Sequence, residues 1–165
     1  MSLRYMIDER NTTAETSLAL YRTAVAWAAR SGRRFEMRVE RNRYPDPEEA
    51  RRLTALGETT PAPDQQLFGR PSGAVFVKGV AGEDLARELT QFPAPADDLP
   101  GDVSPVEDVS IYLGERRVYA AFDYGSTQLF ELTEDELEDL RQTLTDHGLD
   151  PAYVVPAPES RKLDP

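Results

Sequence analysis

Residues 107–149 of the chain read EDVSIYLGERRVYAAFDYGSTQLFELTEDELEDLRQTLTDHGL. Three segments rich in β-branched and aromatic residues come first, and the dipeptides Gly114-Glu115 and Gly125-Ser126 separate them. A glycine at the first position of a two-residue loop is typical of the type II′ turn, which joins neighbouring antiparallel strands. The sequence therefore predicts an antiparallel β-meander over about residues 107–132.

The two turns also predict which side chains share a face of this meander. Leu113 would pair with Arg116 across the first turn and Tyr124 with Thr127 across the second, and side chains alternate from there with a period of two. One predicted face is typical of a core: Val109, Ile111, Leu113, Val118, Ala120, Phe122 and Leu129. The opposite face is mixed and rich in tyrosine: Ser110, Tyr112, Arg117, Tyr119, Ala121, Asp123, Gln128, Phe130 and Leu132.

A helix is predicted directly after the meander, over residues 133–147. Thr133 and Glu136 have the T-x-x-E spacing of a capping box, in which each side chain binds the backbone N–H of the other residue. Gly148 suits the left-handed conformation that often follows a helix. Three leucines recur at helical spacing and form one apolar stripe: Leu137, Leu140 and Leu144.

The rest of the chain predicts a mixture of helices and strands. Thr12 and Glu15 would cap a long helix over residues 12–31, and two strand–helix units would follow at 33–57 and 74–92. The prolines in residues 58–73 and 92–105 favour loops. Helices combined with a largely antiparallel sheet indicate the α+β class. We expect one α+β domain over residues 1–150, followed by a proline-rich tail at 151–165.

Composition limits the classes of partner. The chain of 165 residues has a formal net charge of −11 and no cysteine, which excludes disulfides and cysteine metal sites. Such a charge favours solubility and repels nucleic acid over most of the surface. There is no apolar run near the ~20 residues of a membrane helix and no signal-peptide pattern at the start. We expect a cytoplasmic protein that contacts no membrane.

Catalytic and cofactor motifs do not occur in the sequence. There is no glycine-rich nucleotide loop, no H-E-x-x-H zinc motif and no G-x-S-x-G nucleophile motif. His147 is the only histidine, and it falls at the predicted end of the last helix. Asp97, Asp98 and Asp102 lie close together, but their spacing fits no calcium-binding loop. We expect no cofactor and no metal, and we interpret the chain as non-catalytic.

Two surfaces are candidates for binding. The first is the mixed face of the meander, because tyrosine suits interfaces; its candidate residues are Tyr112, Tyr119, Arg117 and Phe130. The alternative for this face is that the helix at 12–31 covers it, with Trp27 or Tyr21 against the rings. The second is a candidate anion patch formed by Arg33, Arg34, Arg38, Arg41 and Arg43, which Glu36 and Glu40 interrupt.

The preferred functional interpretation is an acidic interaction or regulatory protein, of the kind that acts as an inhibitor or immunity protein. Its partner would be another protein or a second copy of the same chain. One alternative is an enzyme that uses Asp, Glu and Tyr side chains in a pocket. A second is a nucleic-acid or nucleotide binder that uses the arginines between Arg30 and Arg43, although nucleic acid is not the expected partner.

Overall fold

A computed structural model describes residues 1–63, 66–67, 69–91 and 102–158. The helices in this part of the chain are α1 (Ala14–Ala28), α2 (Pro47–Thr54), α3 (Glu83–Gln91) and α4 (Glu134–Asp146). The strands are β1 (Leu3–Ile7), β2 (Arg34–Glu40), β3 (Glu58–Pro61), β4 (Gln66–Leu67), β5 (Arg70–Pro71), β6 (Ala74–Val80), β7 (Asp108–Leu113), β8 (Arg116–Phe122), β9 (Thr127–Leu132) and β10 (Val154–Pro156). Asp97, Asp98 and the tail from residue 159 lie outside the described residues.

Eight of these strands form one antiparallel sheet in the order β10-β1-β9-β8-β7-β2-β6-β3, and β4 pairs only with β5. The predicted meander, β7-β8-β9, lies near its centre. The α+β prediction is therefore confirmed. Within the described residues, no helix is long and apolar enough to cross a membrane.

The first predicted turn is confirmed and the second is longer than predicted. Leu113 pairs with Arg116, and Gly114 between the strands has φ +61°. The second connection is a loop over residues 123–126 that begins after the pair Phe122 and Thr127. Two of its residues other than glycine, Asp123 and Tyr124, adopt left-handed φ angles of 50° and 54°.

A β-bulge in β8 overturns the predicted faces. Tyr112 pairs with Arg117, but the preceding residue, Ile111, pairs with Tyr119, so Val118 is an extra residue in β8. A shift of one residue moves all later side chains to the opposite face. Tyr119 and Phe130 therefore share the face of Ile111, and the predicted core residues Ala120, Phe122 and Leu129 lie on the other face. The longer second loop shifts the pairing by two residues and leaves the faces unchanged.

The predicted capping of α4 is confirmed at both ends. The Glu136 N–H donates to Thr133 Oγ1 at 3.3 Å, and the Thr133 N–H donates to Glu136 Oε2 at 2.8 Å. Gly148 has φ +74°, and the Leu149 N–H donates to the Leu144 carbonyl at 2.9 Å. These contacts satisfy backbone groups that have no partner within a helix.

The cap of α1 is displaced from the predicted position by one residue. The Oγ1 atom of Thr13 accepts from the Thr16 N–H at 3.1 Å, whereas Thr12 Oγ1 lies 2.6 Å from Ser17 Oγ. The helix is also shorter than the predicted 12–31, because it ends at Ala28.

Two segments predicted as loop or tail belong to the sheet. Strand β3 lies in the predicted loop 58–73 and pairs with β6, and strand β10 lies in the predicted tail and pairs with β1. Both are short edge strands that end in proline, Pro61 and Pro156. A proline is tolerated at a sheet edge because its missing N–H breaks no internal ladder hydrogen bond. Neither strand has an alternating apolar pattern long enough to identify it from sequence.

All four helices contribute side chains to one hydrophobic cluster on one face of the sheet. The sheet residues that meet the helices include Phe35, Ile111, Tyr119 and Phe130, which are neighbours across four adjacent strands. The Trp27 ring of α1 packs edge-on against Phe130 at a centroid distance of 6.4 Å. The first helix therefore lies on the face of Tyr119 and Phe130, as the alternative expected, but not on that of Tyr112, which lies on the opposite face.

Candidate binding surface on the sheet

The face of the sheet opposite the helices is the candidate binding surface. One row of side chains crosses it from edge to edge, as the strand register shows: Val155, Met6, Leu129, Ala120, Ser110, Glu36, Lys78 and Glu58. The row is apolar on the side of β1 and β9, small at the centre and charged on the side of β6 and β3. Ala120 and Leu129 are buried, but they lie outside the hydrophobic cluster that the helices cover.

A second row on this face contains two arginines with a tyrosine between them. Tyr112 on β7 pairs with Arg34 on β2 and with Arg117 on β8. The Arg34 guanidinium lies over the Tyr112 ring at 5.3 Å and donates to the Gly114 carbonyl at 3.1 Å. Because neighbouring strands are about 5 Å apart, the backbones of Arg34 and Arg117 are about 10 Å apart. We call Arg34, Tyr112 and Arg117 the arginine–tyrosine row.

The side chain of Arg117 joins this row to the apolar part of the face. Its guanidinium lies 5.9 Å from the centre of the Phe122 ring, two residues beyond Ala120 on the same face. Ala120 lies between Arg117 and Phe122 on this face and is 1% exposed. An arginine can cover apolar surface with its methylene groups and keep its charge in water.

The arginines of this row have no acidic counter-ions. Neither Arg34 nor Arg117 lies within ion-pair distance of a carboxylate among the described residues. Both guanidinium groups are instead held by an aromatic ring. Within the described part of the chain, the row is a local concentration of positive charge without ion-pair partners, in a protein whose net charge is −11.

The structure separates the four candidate interface residues. Tyr112 and Arg117 are partly exposed on the candidate surface, whereas Tyr119 and Phe130 are 0% and 1% exposed beneath the helices. Tyr119 and Phe130 therefore cannot contact a partner while the fold is intact. Phe122, which the sequence predicted for the core, is instead partly exposed on this surface, because the bulge that moves it there leaves no pattern in an all-apolar segment.

The five arginines of the candidate anion patch serve different contacts. Arg33 is buried, donates to the carbonyls of Trp27 and Ala28 and lies over the Trp27 ring at 4.8 Å. Arg38 Nε lies 2.6 Å from Glu107 Oε2. Arg41 and Arg43 follow the end of β2, where Arg41 donates to the Gly73 carbonyl and Arg43 to Glu40 Oε2. Only Arg34 belongs to the arginine–tyrosine row.

A polar cluster closes the end of the sheet near Glu40. This carboxylate is 2% exposed, accepts a hydrogen bond from the Tyr124 hydroxyl and lies 3.5 Å from Arg43 Nη1. The Arg43 guanidinium also stacks over the Tyr124 ring at 4.3 Å. Burial, together with the nearby Glu40 charge, raises the pKa of Glu107. The cluster anchors the left-handed residue Tyr124 to β2, and its buried cations are paired with carboxylates.

The remaining candidate residue in the described part of the chain is the histidine. His147 is an exposed residue at the end of α4, and its Nδ1 atom lies 2.8 Å from the Thr143 carbonyl oxygen. No group of three or more His, Cys, Asp or Glu side chains in the described ranges could hold a metal ion. Comparisons with protein-family models, with curated proteins and with solved structures found no match to this chain.

Proposed function

We propose that this protein is a binding protein whose partner is another protein, and that the arginine–tyrosine row recognises acidic side chains of that partner. The observation that supports this proposal is the pair of arginines, Arg34 and Arg117, which have no carboxylate partner among the described residues and lie on a sheet face that the helices leave uncovered. Charge complementarity between two surfaces guides association and excludes wrong partners.

The chemistry of the surface defines the kind of partner that it fits. Tyr112 offers a broad ring and a hydroxyl that can remain in contact with water, and tyrosine and arginine are enriched in protein interfaces. Beside the row, the partly exposed Phe122 provides apolar contact area. The partner surface should therefore present carboxylates next to an apolar side chain. Two arginines in one row on an acidic protein favour a partner with at least two carboxylates.

Capture from native lysate, followed by measurement with the purified partner, tests this proposal. The double variant Arg34→Glu with Arg117→Glu reverses both charges of the row. Its matched control is Arg51→Glu with Arg87→Glu, which makes the same change of charge on exposed residues of α2 and α3. Thermal melts establish that both variants fold. We expect the row variant to bind the partner at least about tenfold more weakly than the control, and wild-type binding to weaken with salt.

Equal affinity of the row variant and the control would overturn the proposal. A partner whose contact surface contains no carboxylates would also overturn it. Sedimentation velocity of the purified protein tests whether the surface instead binds a second copy of this chain. If the wild type is a dimer and the row variant is a monomer, the surface is a homodimer interface and the proposal of a different partner protein is wrong.

A further inference from the structure

A cavity of about 400 Å³ lies in the helical layer, where α1 packs against both α3 and α4. This volume is within the range of cavities that bind small organic molecules in proteins. The basic residues of its wall are Arg22, Arg30 and His147, and none of the described residues that line it is an aspartate or a glutamate. The cavity is on the opposite side of the sheet from the arginine–tyrosine row.

One side of α1 forms much of this wall. Arg22, Ala26 and Arg30 follow one another at intervals of four residues, so they lie along one line of the helix. Thr23, which also lines the cavity, is the next residue after Arg22. A rise of about 1.5 Å per residue separates the two arginines by about 12 Å along the helix axis. The cavity therefore has two ends, one at Arg22 and Thr23 and the other at Arg30.

The positive charge at the Arg30 end is compensated. Arg30 Nη1 is paired with the carboxylate of Asp139 on α4, which also accepts from the Trp27 Nε1–H at 2.8 Å. The Trp27 hydrogen bond and the contact with Arg30 hold the pKa of Asp139 below its ordinary value. Because Asp139 stays ionised and neutralises Arg30, this end of the cavity attracts an anion only weakly.

Arg22, at the other end, has no such counter-ion. No carboxylate in the described part of the chain lies within ion-pair distance of its guanidinium. Its Nε–H is buried and finds no hydrogen-bond acceptor there. A buried donor without an acceptor is unfavourable. An oxyanion in the cavity, toward which the flexible Arg22 side chain can turn, would supply both the missing charge and the missing acceptor.

Thr23 adds a hydroxyl donor beside Arg22. The residue is 8% exposed, and its hydroxyl group makes no hydrogen bond to another described residue. The other two threonines of the wall differ, because Thr90 and Thr143 each donate to the carbonyl four residues earlier in their helices, at 2.7 and 2.8 Å. Their hydroxyl protons are already used, whereas that of Thr23 is available to a ligand.

We propose that this cavity binds a small organic anion, whose carboxylate or phosphate oxygens are held by Arg22 and Thr23. The guanidinium can donate two parallel N–H bonds to such a group, and the Thr23 hydroxyl can donate a third bond. The Ala26 side chain, which is exposed between the two arginines, would contact the apolar part of the ligand. Since the net charge of −11 repels anions from the protein as a whole, binding depends on these local donors.

Calorimetric titration of the whole chain with sodium benzoate and with phenyl phosphate, at pH 7 and low salt, tests this inference. We expect saturable binding by the wild type and binding at least about tenfold weaker to Arg22→Gln, through loss of the charged hydrogen bonds. Thr23→Val, which keeps the shape and removes the hydroxyl, should also bind more weakly. The matched control is Arg51→Gln on α2, which makes the same change of charge at an exposed site and should bind as the wild type does.

Trp27 provides a local measure of binding, because it is the only tryptophan of the chain and lines the cavity. Its fluorescence should change with the same dissociation constant that calorimetry gives. Calorimetric binding that leaves this fluorescence unchanged would place the anion elsewhere and overturn the proposal. Thermal melts establish that each variant folds.

Three ligands separate recognition of charge from apolar contact and identify the anionic group. Tighter binding of benzoate would indicate a carboxylate as the natural ligand group, and tighter binding of phenyl phosphate would indicate a phosphate. Benzamide has nearly the same shape as benzoate without its charge, so it should not compete. The inference is wrong if neither anion binds saturably, if Arg22→Gln binds as tightly as Arg51→Gln, or if benzamide competes equally. None of these results bears on the arginine–tyrosine row.

Discussion

Replacing Glu9 by glutamine should stabilise the fold at neutral pH and have little effect in acid. The pKa of Glu9 is raised by burial from 4.5 to about 7 in the folded protein. Between these two values the folded state binds more protons than the unfolded state, so the free energy of unfolding of the wild type falls as the pH rises. The variant lacks this titration. It also keeps the hydrogen bond, because glutamine Oε1 can accept from Gln128 in the same way.

The size of the effect follows from the same shift. A change from 4.5 to about 7 corresponds to an upper limit of about 3 kcal/mol, since one pKa unit is worth about 1.4 kcal/mol. Glu9 is only partly buried, so water screens its charge and reduces the cost of ionisation. We therefore expect Glu9→Gln to raise the free energy of unfolding by roughly 1 kcal/mol at pH 8.

Urea unfolding followed by circular dichroism at pH 4, 6 and 8 measures this difference. The other titrating groups occur in both proteins, so their contributions cancel when the variant is compared with the wild type at each pH. Glu115→Gln serves as the control, with a change expected within about 0.5 kcal/mol at every pH. A Glu9→Gln protein that is no more stable than the wild type at pH 8, or a gain that is the same at pH 4, would refute the desolvation argument.

Two further predictions concern the packing of α4 and the loop before β9. Leu140→Ala should lower the free energy of unfolding by roughly 2–5 kcal/mol, because Leu140 is 0% exposed. Thr133→Ala should lower it by only about 1 kcal/mol, through loss of the helix cap. Equal urea midpoints for the two variants would contradict burial of the leucine stripe. Gly125→Ala should destabilise the fold more than Gly114→Ala. Both glycines have positive φ, but a Cβ at residue 125 would lie 2.7 Å from Val103 Cγ2, whereas a Cβ at residue 114 would meet nothing within 4 Å. Thermal melts of the two alanine variants compare them directly, and equal midpoints would show that the loop relaxes around the added methyl group.

Features that depend on a few adjacent residues were predictable from the sequence. The boundaries of α4 follow from Thr133, Glu136 and Gly148, because a helix end is satisfied by side chains and turns within one or two helical turns of it. The first hairpin follows from Gly114 for the same reason. The class of the fold required only the order of such elements along the chain.

The tertiary structure decided which faces of the strands are buried. Residues 118–122, VYAAF, are all apolar, so no alternation indicates where the extra residue of the bulge lies. Pairing with β7 places it at Val118, and that single residue moves Tyr119 into the core and Phe122 to the opposite face. The edge strands β3 and β10 were missed because short, proline-ended segments become strands only when a partner is available.

The arginine–tyrosine row and the environment of Glu9 both depend on contacts between residues that are far apart in sequence. Arg34 meets Tyr112 only through the register of β2 against β7, and Glu9 meets Gln128 only because β1 pairs with β9. The sequence determines the charge and the hydrogen-bonding groups of each side chain. Whether an arginine keeps a free charge, or a glutamate loses its water, depends on which neighbours the sheet brings to it, and that is a property of the tertiary structure alone.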